Sequence, residues 1–485
     1  MEKKESLNAE HNVAEESFFH RYTLDKILSE NDYSKKKTKI ICTIGPACDS
    51  VETLVKMIDL GMNCARLNFS HGDHKTHSKT IDNLKAAFRE RRNTPVSILL
   101  DTKGPEIRTG FFKDKGGKVE LQKGQTLEIT TDYEHLGDST CIACSYENLM
   151  SSVKVGGSIL CADGSLVLKV TEIKEKSVLT EVQNHCIIGE RKNMNLPGCE
   201  VNLPTITEKD EEDIVDFALK KGVDFIALSF ARKAADIEEC RDLLGPKGSR
   251  IKIIAKIENQ EGLENYDEIL KTADSIMVAR GDLGMEIPSQ KVFVAQKWMT
   301  KKANEFGKPV IIATQMLESM VVNPRPTRAE ASDVANAVLD GGDCVMLSGE
   351  TAGGSNPLAA VEIMTAICVE AEQTFSYRTN FRTLMDHHRI GNLMTNQEAM
   401  AISAVSMSYT LNTSVIICFT ETGQMARLLS KYKPKAWIIA VSIEDKVIKG
   451  LALNYGIVCL KIPSFQGGDN IIKYLFLNLK KIDMH

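Results

Sequence analysis

From residue 39 onward, short apolar runs of strand length alternate with longer charged segments of helical period. The charged segments at 208–221 and 291–305 are typical of amphipathic helices. Because strands that are buried on both faces read as continuous apolar runs, this alternation predicts a parallel sheet covered by helices. Eight such runs are present, at 40–44, 64–69, 96–100, 225–230, 251–257, 275–279, 309–313 and 344–347.

Polar residues at the ends of these runs favour one kind of sheet over another. Almost every run is finished or followed by such a residue, for example Arg66, Asp101, Lys256, Asp282 and Thr314. A closed barrel brings the carboxyl ends of its strands to one face, whereas an open doubly wound sheet spreads them along an edge. We therefore predict an α/β fold with a (β/α)8 TIM barrel, in which these side chains form one site.

Segments outside the eight units predict three further parts. The first residues carry a weak helical stripe, and the segment between the third and fourth runs alternates like a small antiparallel β domain. Because that β segment leaves the end of a strand, we expect it to overhang the active face as a lid. The predicted boundaries are 1–36 for a helical arm, 37–103 and 204–370 for the barrel, 104–203 for the lid, and 371–485 for a C-terminal parallel α/β domain with strands at 414–419, 437–442 and 457–462 and a final helix at 470–481.

Composition narrows the classes of function. With 60 Lys and Arg against 65 Asp and Glu, the net charge of −5 gives no bulk attraction for nucleic acid, so any phosphate site must be local. No apolar stretch approaches the roughly 18 residues of a membrane span, and the first residues lack the apolar core of a secretory signal. The 13 Cys follow no repeating spacing, and Cys141 and Cys144 have no second pair to complete a zinc site. We expect a soluble, cytoplasmic protein with reduced thiols.

Two carboxylates at strand ends are candidate metal ligands. Lys256 and Glu258 are two residues apart on one face of a strand, which fits either a structural ion pair or part of a site. Asp282 follows Gly281 at an equivalent barrel position. Glu258 and Asp282 therefore resemble half of a Mg2+ site, although ordinary solvated acids fit the spacing equally well.

Phosphate binding has no standard loop in this sequence. Neither GxxxxGK[ST] nor GxGxxG after a strand is present, but the segment from Arg66 to Gly72 offers a cation and several oxygen ligands. His71, His74 and His77 are spaced by three, which is more typical of a solvated helix surface than of a zinc site.

Nine blocks of the sequence resemble the signatures of the pyruvate kinase family, in the order in which that family has them. The blocks are CTIGP (42–46), ARLNFSHG (65–72), LDTKGPEIRTG (100–110), NLPG (195–198), IAKIEN (254–259), VARGDLG (278–284), ATQMLES (313–319), PRPTRAE (324–330) and MLSGETA (346–352). The resemblance covers about residues 38–465 and implies phosphoryl transfer from phosphoenolpyruvate to ADP, giving pyruvate and ATP, the last step of glycolysis.

The resemblance also implies roles for the strand-end residues. Lys256 would lie beside the transferring phosphoryl group and offset its charge, and Arg66 would hold the phosphoryl oxygens. Glu258 and Asp282 would hold Mg2+, or Mn2+ in its place. Backbone N–H groups near Gly281 and Asp282, together with Thr314, would receive the substrate carboxylate. The resemblance also implies a catalytic role for Thr314, in the route that delivers a proton to the enolate.

Two further ligand sets come from the resemblance. The family's potassium ligands match Asn68, Ser70, Asp101 and Thr102. Glu106 stands where potassium-requiring relatives carry Glu and independent ones carry Lys, so we predict a K+ requirement. The family's nucleotide contacts match Asn68, Phe69, Ser70, His71, Arg108 and Lys192.

Departures from the family pattern affect regulation and assembly. The loop 420–425 carries Glu421 where relatives regulated by a sugar bisphosphate place cationic and hydroxyl groups, and an acid there would repel phosphate. The chain also stops at His485, before the last two strands and the Gly-rich loop with which family members end, so its C-terminal domain reads as truncated. We therefore expect no activation by fructose bisphosphate. The family implies a homo-oligomer, a tetramer whose C-terminal interface this ending puts in question.

Two other functions compete with the kinase. A Mg2+-dependent aldolase or lyase acting on pyruvate-type substrates would need similar acids on the same barrel but no nucleotide lid, and Arg108, Lys192 and the insert argue against it. A catalytically idle binding relative would lose Lys256, Glu258 or Asp282, and all three are present.

Overall fold

The computed structural model describes residues 22–92, 94–114, 117–389 and 394–466. The first described element is a short helix, Leu24–Leu28, which begins where the Thr23 side chain accepts a hydrogen bond from the backbone N–H of Lys26. This helix buries no residue, so the predicted stripe does not pack against the rest of the chain in its described part. Phe18 and Phe19, which belong to the same predicted stripe, lie outside the described residues.

Three buried parallel strands open the barrel. They are β1 (Lys39–Thr43), β2 (Cys64–Asn68) and β3 (Ser97–Asp101). Helices Val51–Asp59 and His74–Glu90 connect them, and each begins at a side chain that accepts a backbone N–H, Ser50 in one and Asp73 in the other. Their apolar faces pack against the outward side chains of the strands.

The segment that follows β3 is folded separately from the barrel sheet. Its strands are β4 (Lys118–Leu121), β5 (Thr126–Thr130), β6 (Cys141–Ala143), β7 (Ser158–Cys161), β8 (Leu166–Ile173), β9 (Ser177–Val182), β10 (Cys186–Gly189) and β11 (Met194–Asn195), with a helical turn at Leu149–Ser152. β10 pairs with β4, and the other six form one sheet in the order β11-β7-β8-β9-β5-β6. The alternating burial along β8 and β9 gives this segment its own apolar core.

Five more strands complete the barrel. They are β12 (Phe225–Leu228), β13 (Lys252–Ile257), β14 (Ser275–Ala279), β15 (Val310–Ala313) and β16 (Cys344–Leu347). The sheet closes in the order β1-β16-β15-β14-β13-β12-β3-β2, with parallel pairing throughout. All eight apolar runs are strands of this barrel, so the predicted barrel is confirmed and the open sheet was the wrong alternative.

Helices follow each strand of the second half of the barrel. They are Glu208–Glu212, Leu219–Lys221, Ala234–Leu244, Gln260–Glu264, Tyr266–Thr272, Arg280–Glu286, Val292–Phe306, Arg328–Leu339, Gly349–Ala352 and Pro357–Thr374. The segment predicted as one helix at 208–221 is interrupted by a π-helical stretch, Asp213–Ala218, and short 3-10 turns lie at Pro246–Gly248, Ser289–Lys291 and Glu318–Val321. None of the described helices is long and apolar enough to span a membrane.

The last described part contains a three-stranded parallel sheet. It consists of β17 (Val415–Phe419), β18 (Trp437–Ser442) and β19 (Ile457–Lys461), with helices Tyr377–Arg389, Asn396–Leu411, Gln424–Lys431 and Asp445–Gly450. These strands lie at the three predicted places, whereas the helix predicted at 470–481 falls outside the described residues. The part sits against the amino-terminal end of the barrel, where Lys433 Nζ lies 2.6 Å from Asp343 Oδ1 and Leu453 joins the apolar cluster inside the barrel.

Candidate active site

The carboxyl ends of β2, β3 and β13 meet at one buried carboxylate, Asp101. Asp101, the last residue of β3, accepts a hydrogen bond from Arg66 Nε on β2 at 2.6 Å and from Lys256 Nζ on β13 at 3.0 Å. Arg66 is held from its other side, because its Nη1 donates to Thr43 Oγ1 at 2.8 Å. Burial alone would raise the pKa of Asp101, but these two cations outweigh it and lower that pKa. The barrel therefore brings together the predicted cations as the strand-end argument required.

Lys256 contacts three oxygens at once, two through hydrogen bonds and one as an ion pair. Its Nζ lies 2.7 Å from Ser229 Oγ, 3.0 Å from Asp101 Oδ1 and 3.0 Å from Glu258 Oε1. Burial disfavours the charged ammonium, yet the nearby carboxylates of Asp101 and Glu258 more than compensate and raise the pKa of Lys256. The side chain is therefore a fixed positive charge at the mouth of the barrel.

Two acids on the neighbouring strand ends carry charge that is only partly compensated. Glu258 is 1% exposed, and its Oε2 accepts the backbone N–H of Phe230 at 2.6 Å. Burial raises the pKa of Glu258 and that of Asp282, and each carboxylate is further destabilised by neighbouring acids. Lys256 offsets part of this effect at both positions. Hard carboxylate oxygens with unmet negative charge are the donors that a divalent cation such as Mg2+ prefers, so these residues fit such an ion.

A strained turn lies beside Asp282. Thr314 and Gln315, directly after β15, have positive φ angles of 69° and 52°, which is rare for residues other than glycine. Thr314 Oγ1 accepts the backbone N–H of Gly281 at 2.7 Å and lies 2.6 Å from the carbonyl oxygen of Ala313. The Gly281 N–H that was predicted to receive a carboxylate is thus already hydrogen bonded to the predicted partner Thr314.

Arg280 fixes this turn. Its guanidinium donates to the carbonyl oxygens of Ala313 at 3.2 Å and Thr314 at 2.8 Å, and it lies 2.7 Å from Asp333 Oδ1 on helix Arg328–Leu339. Asp333 therefore orients the Arg280 side chain, which in turn holds the two carbonyl groups. Several contacts that hold the same turn at once allow its strained backbone conformation to persist.

The four predicted potassium ligands lie side by side. Asn68 and Asp101 are paired across β2 and β3, and Ser70 and Thr102 follow them in the chain. Asn68 Oδ1 accepts the backbone N–H of Ser70 at 3.2 Å. The Thr102 hydroxyl donates to the carbonyl oxygen of Ala227 at 3.2 Å. The oxygen donors are adjacent, but Asp101 and Thr102 also hold parts of the barrel together.

The residues after β2 do not form a histidine site. The ring of Phe69 is buried and stacks on the ring of His77 at 4.2 Å, so it faces the core. His77 Nε2 is 2.8 Å from the carbonyl oxygen of His71, whereas His74 Nε2 is 2.7 Å from Asp213 Oδ1. Burial lowers the pKa of His77. Because the rings of His74 and His77 have separate partners, the zinc alternative has no support. No group of three or more His, Cys, Asp or Glu in the described residues is arranged to hold a metal.

The insert supplies the far side of a cleft above these strand ends. Arg108 donates from Nη2 to Glu106 Oε2 at 2.6 Å and from Nη1 to the carbonyl oxygen of Arg191 at 2.8 Å. The neighbouring Lys192 is exposed. The cleft of about 100 Å³ is lined from both sides, by Glu106 and Asn195 of the insert and by Phe230 and Asp282 of the barrel. The insert thus lies against the face on which the candidate residues converge.

Sequence reasoning missed several residues that organise this site. Ser229 was counted inside the apolar run 225–230, but β12 ends at Leu228 and Ser229 is the first residue beyond it. Thr43 was likewise counted inside a run. A serine or threonine within two residues of a barrel strand's end was the only available signal. Asp333 gave none, because it is far from every strand end in the sequence.

Comparison with known proteins agrees with this arrangement. Family models described as "Pyruvate kinase, barrel domain" and "Pyruvate kinase, alpha/beta domain" match residues 35–361 and 398–483. The chain is 53% identical over 456 residues to a pyruvate kinase of Eimeria tenella, covering 94% of this chain and 85% of that one. A crystal structure of a Cryptosporidium parvum pyruvate kinase is 50% identical with a TM-score of 0.92, covering 96% and 95% of the two chains. Another of that organism's enzyme in complex with ADP is 51% identical with a TM-score of 0.86, covering 95% and 93%.

Proposed function

The chain belongs to the pyruvate kinase family, and on that premise we propose that it transfers the phosphoryl group of phosphoenolpyruvate to ADP with the help of Mg2+ and K+. The observation that carries this proposal is the arrangement of Arg66, Asp101, Lys256 and Glu258 at the carboxyl face of the barrel. Two cations fixed by one buried carboxylate, next to under-compensated acids, suit a reaction in which negative charge moves between oxygens.

Arg66 and Lys256 stabilise the phosphoryl group during transfer. In a largely dissociative transition state, charge spreads over the three equatorial oxygens, and positive groups that need no reorganisation lower its energy most. Lys256 meets this condition because Asp101 and Ser229 fix its position. Arg66 meets the same condition because its Nε donates to Asp101 and its Nη1 donates to Thr43, which fixes the guanidinium at two of its edges.

Glu258 and Asp282 are the residues that would hold Mg2+ or Mn2+. When bound, such an ion supplies Lewis acidity toward the phosphoryl and enolate oxygens. Asp282 lies in the first turn of helix Arg280–Glu286, next to Gly281, whose N–H is hydrogen bonded to Thr314. In this proposal the substrate carboxylate meets the N–H of Asp282 and the Thr314 hydroxyl, and it reaches the Gly281 N–H by taking the place of Thr314 Oγ1.

The nucleotide and the monovalent cation occupy the side of the face nearest the insert. K+ is held by the oxygen donors of Asn68, Ser70, Asp101 and Thr102, and ADP meets the segment from Asn68 to His71 together with Arg108 and Lys192. Phe69 acts through its backbone there, since its ring is in the core. The relative crystallised with ADP supports a nucleotide on this fold.

Regulation, assembly and location complete the proposal. Fructose bisphosphate does not activate the enzyme, because Glu421 stands in the candidate effector loop. The chain assembles as a homo-oligomer. It works in the cytoplasm, in keeping with the free thiols of all its cysteines.

A single assay tests the reaction. Purified protein is mixed with phosphoenolpyruvate, ADP, Mg2+ and K+, and pyruvate and ATP are followed together. We expect both products in equal amounts, a large loss of rate when K+ is replaced by tetramethylammonium, and no more than a small change on adding fructose bisphosphate. Absence of both products would refute the kinase, and full activity without K+ would refute the cation site alone.

A further inference from the structure

The ammonium group of Lys256 has three N–H donors, and two of them are hydrogen bonded to the protein. The acceptors are Asp101 Oδ1 at 3.0 Å and Ser229 Oγ at 2.7 Å. Glu258 Oε1 lies 3.0 Å away as an ion pair without a hydrogen bond. A phosphoryl oxygen that approaches Lys256 therefore competes with Glu258, and the two hydrogen bonds decide where the charge stays.

Ser229 makes the shortest of the three contacts and is itself rigid. It is 1% exposed, its hydroxyl donates to the carbonyl oxygen of Thr102 at 2.7 Å, and its backbone N–H donates to Thr102 Oγ1 at 3.0 Å. The hydroxyl has one proton and two acceptors within reach, the Thr102 carbonyl at 2.7 Å and Asp101 Oδ1 at 3.3 Å, and with either one its oxygen keeps a lone pair for Lys256. The short segment after β12 thus aims one lone pair at the ammonium.

Glu258 is the partner of Lys256 that a phosphoryl oxygen can replace, because it forms an ion pair without a hydrogen bond. In the proposed function Glu258 would also hold a divalent cation, and a carboxylate that shares its charge with such an ion would attract Lys256 less than it does alone. Asp101 is shared between Arg66 and Lys256 and stays in place. Ser229 and Asp101 then form a two-point support that leaves the third N–H of Lys256 directed at the substrate.

We propose that Ser229 is a positioning residue, which acts through Lys256 and keeps its charge aimed at the transferring phosphoryl group. This inference rests on the proposed role of Lys256. A displacement of about 1 Å at a reacting group can cost about 100-fold in rate. Removal of the hydroxyl should therefore lower kcat by about 10- to 100-fold and leave KM for ADP within about twofold of its original value.

The test compares Ser229→Ala with a matched control, Ser97→Ala. Ser97 is also fully buried and its hydroxyl also donates to a carbonyl oxygen, that of Lys449 at 2.7 Å, but it lies at the opposite end of the neighbouring strand β3. The control therefore measures how much stability and activity are lost when a buried serine hydroxyl that does not contact Lys256 is removed. We expect the kcat of the control to stay within about twofold of the original chain.

A second measurement separates positioning from an independent role. Ser229→Ala is combined with Lys256→Met, and the residual rate is measured at high enzyme concentration. If Ser229 acts through Lys256, the second change adds no further loss to Lys256→Met. The proposal is overturned if the losses of the two single variants multiply in the double variant. It is also overturned if Ser229→Ala and Ser97→Ala have the same kcat. In both cases an active original chain leaves the proposed kinase function standing. An inactive original chain would overturn both.

Discussion

At the scale of single residues, the site depends on where each cation is held. Lys256→Met removes the charge that faces the phosphoryl group, and we expect a fall in kcat of about 100- to 1000-fold, because one preorganised electrostatic contact is worth that much. Mn2+ binding, measured by the relaxation of water protons, should persist, since Glu258 and Asp282 remain.

Lys252 provides the control for this change. It lies on the same strand β13 but at the opposite end, where its Nζ is 3.0 Å from Asp274 Oδ1. Lys252→Met should keep kcat within about twofold, because it is a partly exposed ion pair far from the reaction. A similar loss in both variants would show that Lys256 matters for the strand and not for the chemistry.

Residue identities were readable from the sequence where they stood at the end of an apolar run. Arg66, Asp101, Lys256 and Glu258 were found in this way, and the barrel joins them by direct contacts. Side-chain partners were not readable, because they depend on register between strands. The sharing of Asp101 between two cations, and the contact of Ser229 with Lys256, follow only from the closed sheet.

At the scale of elements, strands were predicted better than helices. A barrel strand is apolar along its whole length, so its bounds fall within about two residues of the predicted ones. Helix 208–221 was predicted as regular, but it contains the π-helical stretch Asp213–Ala218, in which Asp213 accepts contacts from His74 and Lys209. The positive φ of Thr314 was not predictable, because threonine seldom adopts it.

The start of helix Arg328–Leu339 gives a prediction for acid stability. Glu330 accepts backbone N–H groups of Ser319 and Thr327 and the hydroxyls of both. Burial opposes ionisation, but these hydrogen bonds outweigh it and lower the pKa of Glu330 to about 2. A carboxyl with a lowered pKa stabilises the fold above its unfolded pKa of about 4.3, and this stabilisation is lost as pH falls toward 2.

Glu330→Gln tests this assignment. At pH 7 we expect the variant to unfold more easily, by about 1 kcal/mol, because a capping interaction is weakened. The difference from the original chain should shrink below about pH 4, since protonation removes the same interaction there. Urea unfolding at several pH values measures it, and a difference that stays constant from pH 7 to pH 3 would contradict the capping role.

At the scale of the whole molecule, one buried ion pair joins the barrel to the last sheet. Lys433 is 2% exposed and lies 2.6 Å from Asp343 Oδ1, next to β16. Lys433→Ala leaves the Asp343 carboxylate without its cation, and we expect a loss of about 3–5 kcal/mol in the free energy of unfolding. Urea unfolding followed by tryptophan fluorescence measures this loss, with Trp437 in the last sheet and Trp298 in a helix of the barrel as the two reporters.

An exposed pair between the same two parts serves as the comparison. Arg250 Nη1 lies 3.1 Å from Glu444 Oε2, and both side chains are about half exposed. Arg250→Ala should cost less than about 1 kcal/mol, because surface pairs contribute little. Equal losses in the two variants would mean that burial does not set the strength of this contact.

The position of the insert has a consequence for how the chain folds. Leu99 on β3 is paired with Phe225 on β12, so two neighbouring strands of the barrel are separated in the sequence by the whole insert. Closing such a long loop is entropically costly and slows the formation of non-local contacts. An insert that folds early brings its own ends together and shortens that loop. On this view the barrel closes late, after the insert has folded. Until then a nascent chain would expose β3 as an unpaired edge strand.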